Sequence, residues 1–426
     1  MAAHLCLAGK SIYTHASGRN RKVGHQNLTI TAPGRLSRLN RQPLSAANLM
    51  KLNTHLILVS AQPIPNITPM LDDAVKPKKV VMLVSPDMQE RARALENIFK
   101  PRGIGIESYA IADPWNAELI SDKVLDILCH YPDGNIALNA TGGTKLMSIA
   151  ACEAFRSAKA PVYYVHPRHD RLLWLSPKQP PHNLAGRLKL KDYLMAYGAD
   201  QVDIPAGVQS VPPAIQELTG ELLAGIDRYA DELGTLNYLA YQSDNAQLSA
   251  KIGHSRQSRP VLWELLELFE AAGICCLEHR LIHFSDPQMR FIANGGWLEM
   301  HTYAACLQLK QKCGIQDVAC NIVIQRHPAG KTAVKNEIDV GLIHANRLHL
   351  IECKTRHFEK DADMLYKLDS LRDLMGGLQG RTMLVSFNNL GKASRARARE
   401  LNVSLCCKTE LKHLQQHLTN WLTTRG

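Results

Sequence analysis

Two short apolar runs near the C-terminal third carry the residues whose types and spacing could do chemistry. Asn336-Glu337-Ile338-Asp339-Val340 is followed, across His344-Ala345-Asn346-Arg347, by Leu350-Ile351-Glu352-Cys353-Lys354. They read as the strands of a β-hairpin, and a turn at Ala345-Asn346 sets Asp339 opposite Glu352 and Glu337 opposite Lys354. Side chains alternate along a strand, so these four are expected on one face while Ile338, Val340, Ile351 and Cys353 point into a core. Carboxylates about 5 Å apart across a ladder repel unless a cation lies between them, and hard divalent ions such as Mg2+ or Mn2+ take such oxygen pairs. A lysine beside them can orient water and stabilise charge developing on a phosphorane. An ordinary surface hairpin would account for Glu337–Lys354 as a cross-strand ion pair but leaves Asp339–Glu352 as a like-charge clash, so a metal site is the expectation. Glu299, in Gly295-Gly296-Trp297-Leu298-Glu299, opens the helix before this sheet. An acid there is favourable with the helix dipole, and it could also reach the metal.

A second candidate lies upstream. The strand Asn135–Asn139 runs into Ala140-Thr141-Gly142-Gly143-Thr144-Lys145, where a helix is expected to start. The carboxyl ends of strands in a doubly wound sheet carry ligand sites. Two glycines let backbone approach an anion, the helix N-terminus offers N–H groups, and Thr141, Thr144 and Lys145 add hydroxyls and a cation. The stretch is neither a P-loop nor G-x-G-x-x-G, and a tight strand-to-helix turn with a threonine cap is the alternative. The loop Ser60-Ala61-Gln62-Pro63-Ile64-Pro65-Asn66 ends at the same edge of the sheet. Two polar, poorly helical loops meeting there favour a ligand. Its candidate contacts are Ser60, Gln62, Asn66, Thr141, Gly142, Gly143, Thr144 and Lys145.

The elements that must position these residues follow from periodicity. Strands are expected at His55–Val59, Val80–Val84, Ile104–Ile111, Asn135–Asn139 and Val162–Val165, alternating with helices after Pro86, over Ala117–Cys129 and over Lys145–Arg156. That alternation implies βαβ crossovers and a mostly parallel, Rossmann-like sheet over about residues 50–180. Residues 181–215, rich in Pro and Gly, read as a connector. Residues 216–293 give helices Ile215–Ala230 and Pro260–Ala272 with a β-ribbon through Ile274–Leu277, Leu281–Phe284 and Arg290–Ile292, a winged-helix-like pattern. Residues 294–426 run helix, strands Val318–Gln325, Glu337–His344 and Leu348–Lys354, helix Ala362–Leu374, strand Thr382–Phe387, and a last helix Glu410–Leu422.

The chain has 426 residues, 45% of them hydrophobic and 21% charged, which is globular composition and excludes a disordered or fibrous protein. Its longest apolar runs have strand length, so no membrane-spanning helix is expected. Seven Lys and Arg residues and no acid fall within residues 1–49, out of a net charge of +11, and the remaining body is only mildly basic. This head has the composition of a transit peptide or disordered arm, or it is upstream sequence ahead of a start at Met50. Eleven cysteines without a C-x-x-C pair argue against a disulfide framework or zinc ribbon and fit the reducing cytoplasm.

The order helix with Glu299, strand, Asp339, Glu352-x-Lys354, helix resembles the PD-(D/E)xK nuclease fold. Together with the Rossmann-like domain carrying Asn139-Ala140-Thr141-Gly142-Gly143-Thr144-Lys145, the chain from about residue 50 onward resembles the CARF-domain effector nucleases of type III CRISPR systems. The resemblance implies an α/β protein with a CARF ligand-sensing domain, a winged-helix-like middle and a restriction-endonuclease-like domain. It also implies a homodimer that binds one cyclic oligoadenylate, most often cyclic tetra-adenylate, on Thr141–Lys145 and the Ser60–Asn66 loop. The implied activity is ligand-activated, metal-dependent cleavage of DNA, RNA or both in antiviral defence. Asp339, Glu352 and the Cys353 carbonyl would hold Mg2+ or Mn2+, Lys354 would orient water, and Glu299 and Glu337 would be supporting acids. Lys331, Lys335, Arg347, Arg356, His357, Lys360 and Lys367 are the candidate phosphate contacts, or a solvated charged face. Two other readings are a nucleotide-responsive nucleic-acid-binding regulator without cleavage and a resolvase or restriction-type enzyme without a messenger. The first has no need of the carboxylate hairpin, and the second leaves the Thr-Gly-Gly-Thr-Lys turn unexplained.

Overall fold

The computed structural model describes residues 52–424 apart from 167–168, 206–210, 244–246, 254–255, 257, 328–331 and 357–360. The head, and with it the expectation about Met50, lies outside the described residues.

Strands β1 (Thr54–Leu58), β2 (Lys79–Val84), β3 (Gly105–Ala110), β4 (Ile136–Asn139) and β5 (Val162–His166) form a parallel sheet in the order β3-β2-β1-β4-β5. β1 is buried along its whole length, as a strand covered on both faces must be. Leu56, Leu58, Val81 and Leu83 pack on the helices Ala117–Cys129 and Lys145–Ser157, while Ile57, Val80 and Met82 pack on Gln89–Phe99. The sheet also extends through β6 (Arg171–Ser176) and β7 (His182–Asn183), antiparallel additions that the parallel pattern did not show.

The loop after β1 is shorter than expected, because a helix occupies Ile64–Leu71. Prolines conceal it. Pro65 sits in the first turn, where no N–H is needed, and Pro69 lies inside. Pro69 cannot donate to the Pro65 carbonyl four residues back, and that carbonyl instead accepts from Asn139 Nδ2 at 2.9 Å.

In the middle segment the expected Ile215–Ala230 helix is divided into Pro213–Ala224 and Ile226–Gln242. The break is Gly225, where a Cβ would stand 2.4 Å from the Tyr229 ring. β9 (Ser249–Lys251), the helix Pro260–Ala271, β10 (Cys275–Glu278) and β11 (Leu281–Phe284) complete a helix, strand, helix and ribbon order with a three-stranded sheet β10-β11-β9. Arg290–Ile292 is not a third ribbon strand. Asp286 caps a helix at Pro287–Phe291, its side chain accepting from the Met289 N–H at 2.9 Å.

The last sheet has the order β16-β15-β14-β13-β12-β8, built from β8 (Gln201–Asp203), β12 (Ile315–Arg326), β13 (Val334–His344), β14 (Arg347–Lys354), β15 (Arg381–Ser386) and β16 (Val403–Cys407). β16 and the helix Lys392–Glu400 before it were not expected. The connector therefore stitches the two large sheets, supplying β7 to one and β8 to the other. Its helix Leu190–Ala196 lies in one hydrophobic cluster with Ile57, Met82 and Phe99 on one side and Ile322, Ile343 and Leu350 on the other. No helix among the described residues is long and apolar enough to cross a membrane.

Candidate functional site

The hairpin has the expected register, with Val340 across from Ile351 and His344 across from Arg347. The ladder ends at Val340–Ile351, so Asp339 and Glu352 are not ladder partners. Asp339 Oδ2 accepts the Cys353 N–H at 2.7 Å, taking the place of a backbone acceptor as the strands part. Asn321, in the left-handed region at φ 52°, stands opposite Asp339 between the pairs Cys320–Val340 and Ile322–Ile338. The irregularity turns the strands over at this point. Val340, Ile351 and Cys353 enter the core beneath the helix Trp297–Cys313, whereas Ile338 enters the cluster around the connector, so the expectation of one shared inward face holds for three of the four.

Lys354 Nζ lies 2.7 Å from Glu352 Oε1 and 3.4 Å from Asp339 Oδ2, and Lys367 Nζ lies 3.3 Å from the same Glu352 oxygen. Asp339 and Glu352 are both buried. Glu299 joins them from the first turn of the Trp297–Cys313 helix. Its approach depends on Gly295, at φ 106° with a Cβ position 2.6 Å from Thr355 Oγ1, and on Gly296, where a Cβ would stand 2.3 Å from Phe291. A side chain at Gly295 would meet Thr355 at the end of β14, and one at Gly296 would meet the Phe291 ring of the preceding helix.

Burial, with the Asp339 charge next, raises Glu299 from 4.5 to about 9. Asp339 rises to about 6 through burial and the Glu352 charge, opposed by Lys354 and the Cys353 N–H. Burial works against the Lys354 ammonium, but Asp339 and Glu352 outweigh it and hold it above the ordinary lysine range. Three acids thus share two lysines in a poorly solvated corner. Glu337 is a correction to the expected pairing with Lys354: it is exposed on β13 across from Val323 because β14 has already left the ladder, though its charge still acts on Glu299. Arg347 is another, lying at the opposite end of β14 from Lys354. Lys335 and Arg356 are exposed, whereas Lys331, His357 and Lys360 lie outside the described residues.

The donor set fits a small hard cation. Among the described residues no three His, Cys, Asp or Glu side chains are grouped as a metal cage. Two buried carboxylates and a neighbouring backbone carbonyl are nonetheless the few protein ligands that Mg2+ takes while keeping water.

At the end of β4 the polar side chains are already engaged. Asn66 is fully buried, donating to the Leu58 carbonyl at 2.8 Å and accepting from Asn139 at 3.0 Å. It shapes the turn and does not face solvent. Asn139, which the sequence analysis did not single out, is equally buried and accepts from both the N–H and the hydroxyl of Thr141. Thr141 Oγ1 in turn accepts the Val165 N–H at 2.7 Å. Thr144 caps the helix by accepting from Met147 and donating to the Pro114 carbonyl. Gly142 has no room for a side chain, since a Cβ would stand 2.0 Å from the Leu58 carbonyl, and Gly143 has φ 72°. Lys145 is exposed at the start of the helix that follows the glycine turn.

Ser60 donates to the Gln62 carbonyl at 3.2 Å. The Gln62 side chain points away from the turn: its Oε1 accepts from Tyr197 at 3.0 Å and from the Leu378 N–H at 3.5 Å. Tyr193, stacked on Tyr197, donates to the Gly376 carbonyl at 2.9 Å. The tip of the carboxylate hairpin is held likewise, with Asn346 bonded to Asp170 at the β5–β6 turn and its N–H donated to Gln316 at 2.7 Å. The loop after β1 is therefore tied to the connector and to the segment before β15, and the hairpin tip to the β5–β6 turn.

Two family descriptions match the chain, the Card1 CARF domain over residues 54–193 and the Card1-like endonuclease domain over residues 286–425. Among solved structures, protein VC1899 from Vibrio cholerae is 30% identical, with a TM-score of 0.78, over 87% of this chain and 97% of that one. Can2 from Sulfobacillus thermosulfidooxidans, solved in complex with cyclic tetra-adenylate, is 27% identical with a TM-score of 0.73, over 87% of this chain and 99% of that one. A type III CRISPR defence DNA nuclease activated by cyclic oligoadenylate shares the fold at 18% identity and a TM-score of 0.51, over 81% of this chain and 47% of that one. No curated protein matches.

Proposed function

We propose that this chain, which belongs to the Card1-like family of CARF-domain endonucleases, is a cytoplasmic nuclease switched on by a cyclic oligoadenylate and dependent on a divalent metal. The observation that carries the reading is the buried Asp339–Glu352–Lys354 cluster at the parted end of the hairpin, with Glu299 against it. Asp339, Glu352 and the Cys353 carbonyl would hold Mg2+ or Mn2+, which when bound polarises the scissile phosphate and makes water more acidic. Lys354 orients the attacking water and neutralises charge gathering on the phosphorane, while Lys367 keeps Glu352 turned toward it. Burial and the neighbouring carboxylates favour the protonated form of Glu299 as long as no cation neutralises those neighbours.

The activating ligand is cyclic tetra-adenylate, the molecule in the Can2 structure. Its phosphates meet the Gly142 and Gly143 N–H groups and Lys145, and Ser60 lies beside them. A homodimer places two such turns around one ligand, and Ile149, exposed on the helix that follows the turn, faces the partner. The test is to incubate the protein with labelled single- and double-stranded DNA and RNA, with Mg2+, Mn2+ or EDTA, with and without cyclic tetra-adenylate. Cleavage that needs both metal and ligand is expected. Ligand-dependent binding without cleavage would favour the regulator reading.

A further inference from the structure

The helix Lys392–Glu400, which had no place in the expected order of elements, carries Lys392, Arg395, Arg397 and Arg399 against one acid, Glu400. Arg397 pairs with Glu400 at 2.7 Å and lies over the Tyr366 ring of the neighbouring helix. Lys392, Arg395 and Arg399 remain, three and four residues apart and so on one stripe. Lys392 and Arg399 are exposed, and Arg395 has a neutral partner, donating to Asn389 Oδ1 at 3.2 Å. Folding gives this stripe little support. Like charges at these spacings repel, and Lys392 opposes the helix dipole in a first turn that holds no acid. The stripe begins beside the carboxylates, because the Phe387 N–H donates to the Lys354 carbonyl at 2.8 Å and Asn388 Nδ2 to the Thr355 carbonyl at 3.1 Å. At its other end Arg399 lines a cleft of about 840 Å³ with Arg347, Arg372 and Arg381, and no acid lines it among the described residues. Arg372 is paired with Asp369 and Asp373, whereas Arg381 donates to the Trp421 and Thr424 carbonyls, which position its charge without cancelling it.

A row of mutually repelling cations that leads away from a site cutting phosphodiesters is matched by a row of phosphates, whose condensed counterions are released on contact. We propose that the Lys392–Arg395–Arg399 stripe and the arginine cleft at its end form a track for the substrate's sugar-phosphate backbone beyond the bond being cut. From Lys392 to Arg399 the helix rises about 10 Å, the span of roughly three phosphates along one strand. Such contacts set register and strengthen binding but read no bases, so the track serves every sequence alike. The inference rests on the nuclease reading above.

The test compares wild type with a triple variant, Lys392→Gln with Arg395→Gln and Arg399→Gln, and with a charge-keeping variant, Arg395→Lys with Arg399→Lys. Affinity for fluorescein-labelled oligonucleotides of two unrelated sequences is measured by anisotropy in EDTA with cyclic tetra-adenylate, from about 50 to 200 mM salt. KM and kcat are measured on the same sequences with Mn2+. The triple variant should bind about tenfold more weakly at the lower salt and lose about 2 from the slope of log affinity against log salt. Its KM should rise by a similar factor on both sequences with little change in kcat, and the charge-keeping variant should hold the wild-type slope. Its Tm should match or exceed that of wild type, since repulsion along the helix has been removed. An unchanged slope and KM in the triple variant would overturn the track, as would a loss confined to one sequence or a wild type that binds neither oligonucleotide. If wild type binds but cuts nothing, and the triple variant still loses slope, the track stands and the nuclease reading alone fails.

Discussion

At the end of β4 the polar side chains around the turn have partners inside the protein, and the exposed group is one lysine, Lys145. At the end of β14 three acids crowd two lysines, and burial holds Glu299 and Asp339 above their ordinary ranges. Both regions lie at carboxyl ends of strands, yet one is electrostatically at rest and the other is not. A site for an occasional anionic visitor must stay folded when empty, so its hydroxyls and amides are spent on holding the glycine turn. A site that polarises phosphate has to concentrate charge, and it keeps that charge tolerable with lysines until a cation arrives. Substitutions should separate the two kinds.

The largest effect is expected at the charged end. Glu352→Ala and Asp339→Ala should each take cleavage below detection while leaving cyclic tetra-adenylate affinity unchanged, measured by calorimetry beside nicking rates. Asp339→Ala should also cost about 1–3 kcal/mol of stability, because the buried Cys353 N–H loses its acceptor, and Asp339→Asn should spare most of that. Near-wild-type cleavage in either alanine variant would remove these residues from the site. At the resting end, Lys145→Glu sets a negative charge where phosphate would sit. It should abolish activation at ordinary ligand concentrations and leave the protein's melting temperature and any ligand-independent cleavage as they were. Unchanged affinity in that variant would move the ligand away from the turn.

Between the two regions run the contacts from Gln62 to Tyr197 and Leu378. A ligand shifts activity only through states it binds unequally, and these bonds link the loop after β1 to the domain that cuts. Tyr197→Phe deletes the 3.0 Å bond and keeps the ring stacked on Tyr193. Removing one such hydrogen bond, worth about 1 kcal/mol, should change the ratio of activated to basal rate about fivefold, with basal cleavage retained. An unchanged ratio would place the coupling elsewhere, with the Asn346–Asp170 bond as the next contact to cut.

What could be read in advance divides along the same line. The five parallel strands and the hairpin register were legible because each is a continuous or alternating apolar run bounded by turn residues. Asp339, Glu352 and Lys354 were legible because like charges on one strand face conflict with an ordinary fold. Glu337 was misplaced for a physical reason: register extrapolates a ladder, and nothing local announced that the Asp339 side chain would take the Cys353 N–H and part the strands. The helix Ile64–Leu71 was hidden by prolines whose missing bond is made good by Asn139, 74 residues away. That Asn66, Thr141 and Gln62 bond to partners inside the protein could not be read in advance, since a polar side chain in a turn carries no mark of where its partner lies. β16 went unread because Val403–Cys407 is short, and its pairing with β15 is visible only in the fold.

The smallest effect tests the unrest itself. Glu299 rises from 4.5 to about 9 in the folded protein, so the folded state holds its proton through a range where the unfolded chain has lost it. Stability then falls as pH rises from about 4.5 toward 9, since over that span the unfolded state binds fewer protons than the native one. Asp339, raised to about 6, adds to the fall at the lower end of the range. In EDTA the melting temperature should therefore drop by a few degrees between pH 5 and 9, and Glu299→Gln should flatten the upper part of the curve. Mn2+ replaces protons as the partner of the carboxylates, so it should raise the melting temperature more at pH 9 than at pH 5. The turn at the end of β4 has no buried carboxylate, and Lys145→Glu should leave the pH profile unmoved. A wild-type profile that rises toward pH 9 in EDTA would mean that the lysines more than neutralise the acids, and the contrast between the two regions would lose its electrostatic basis.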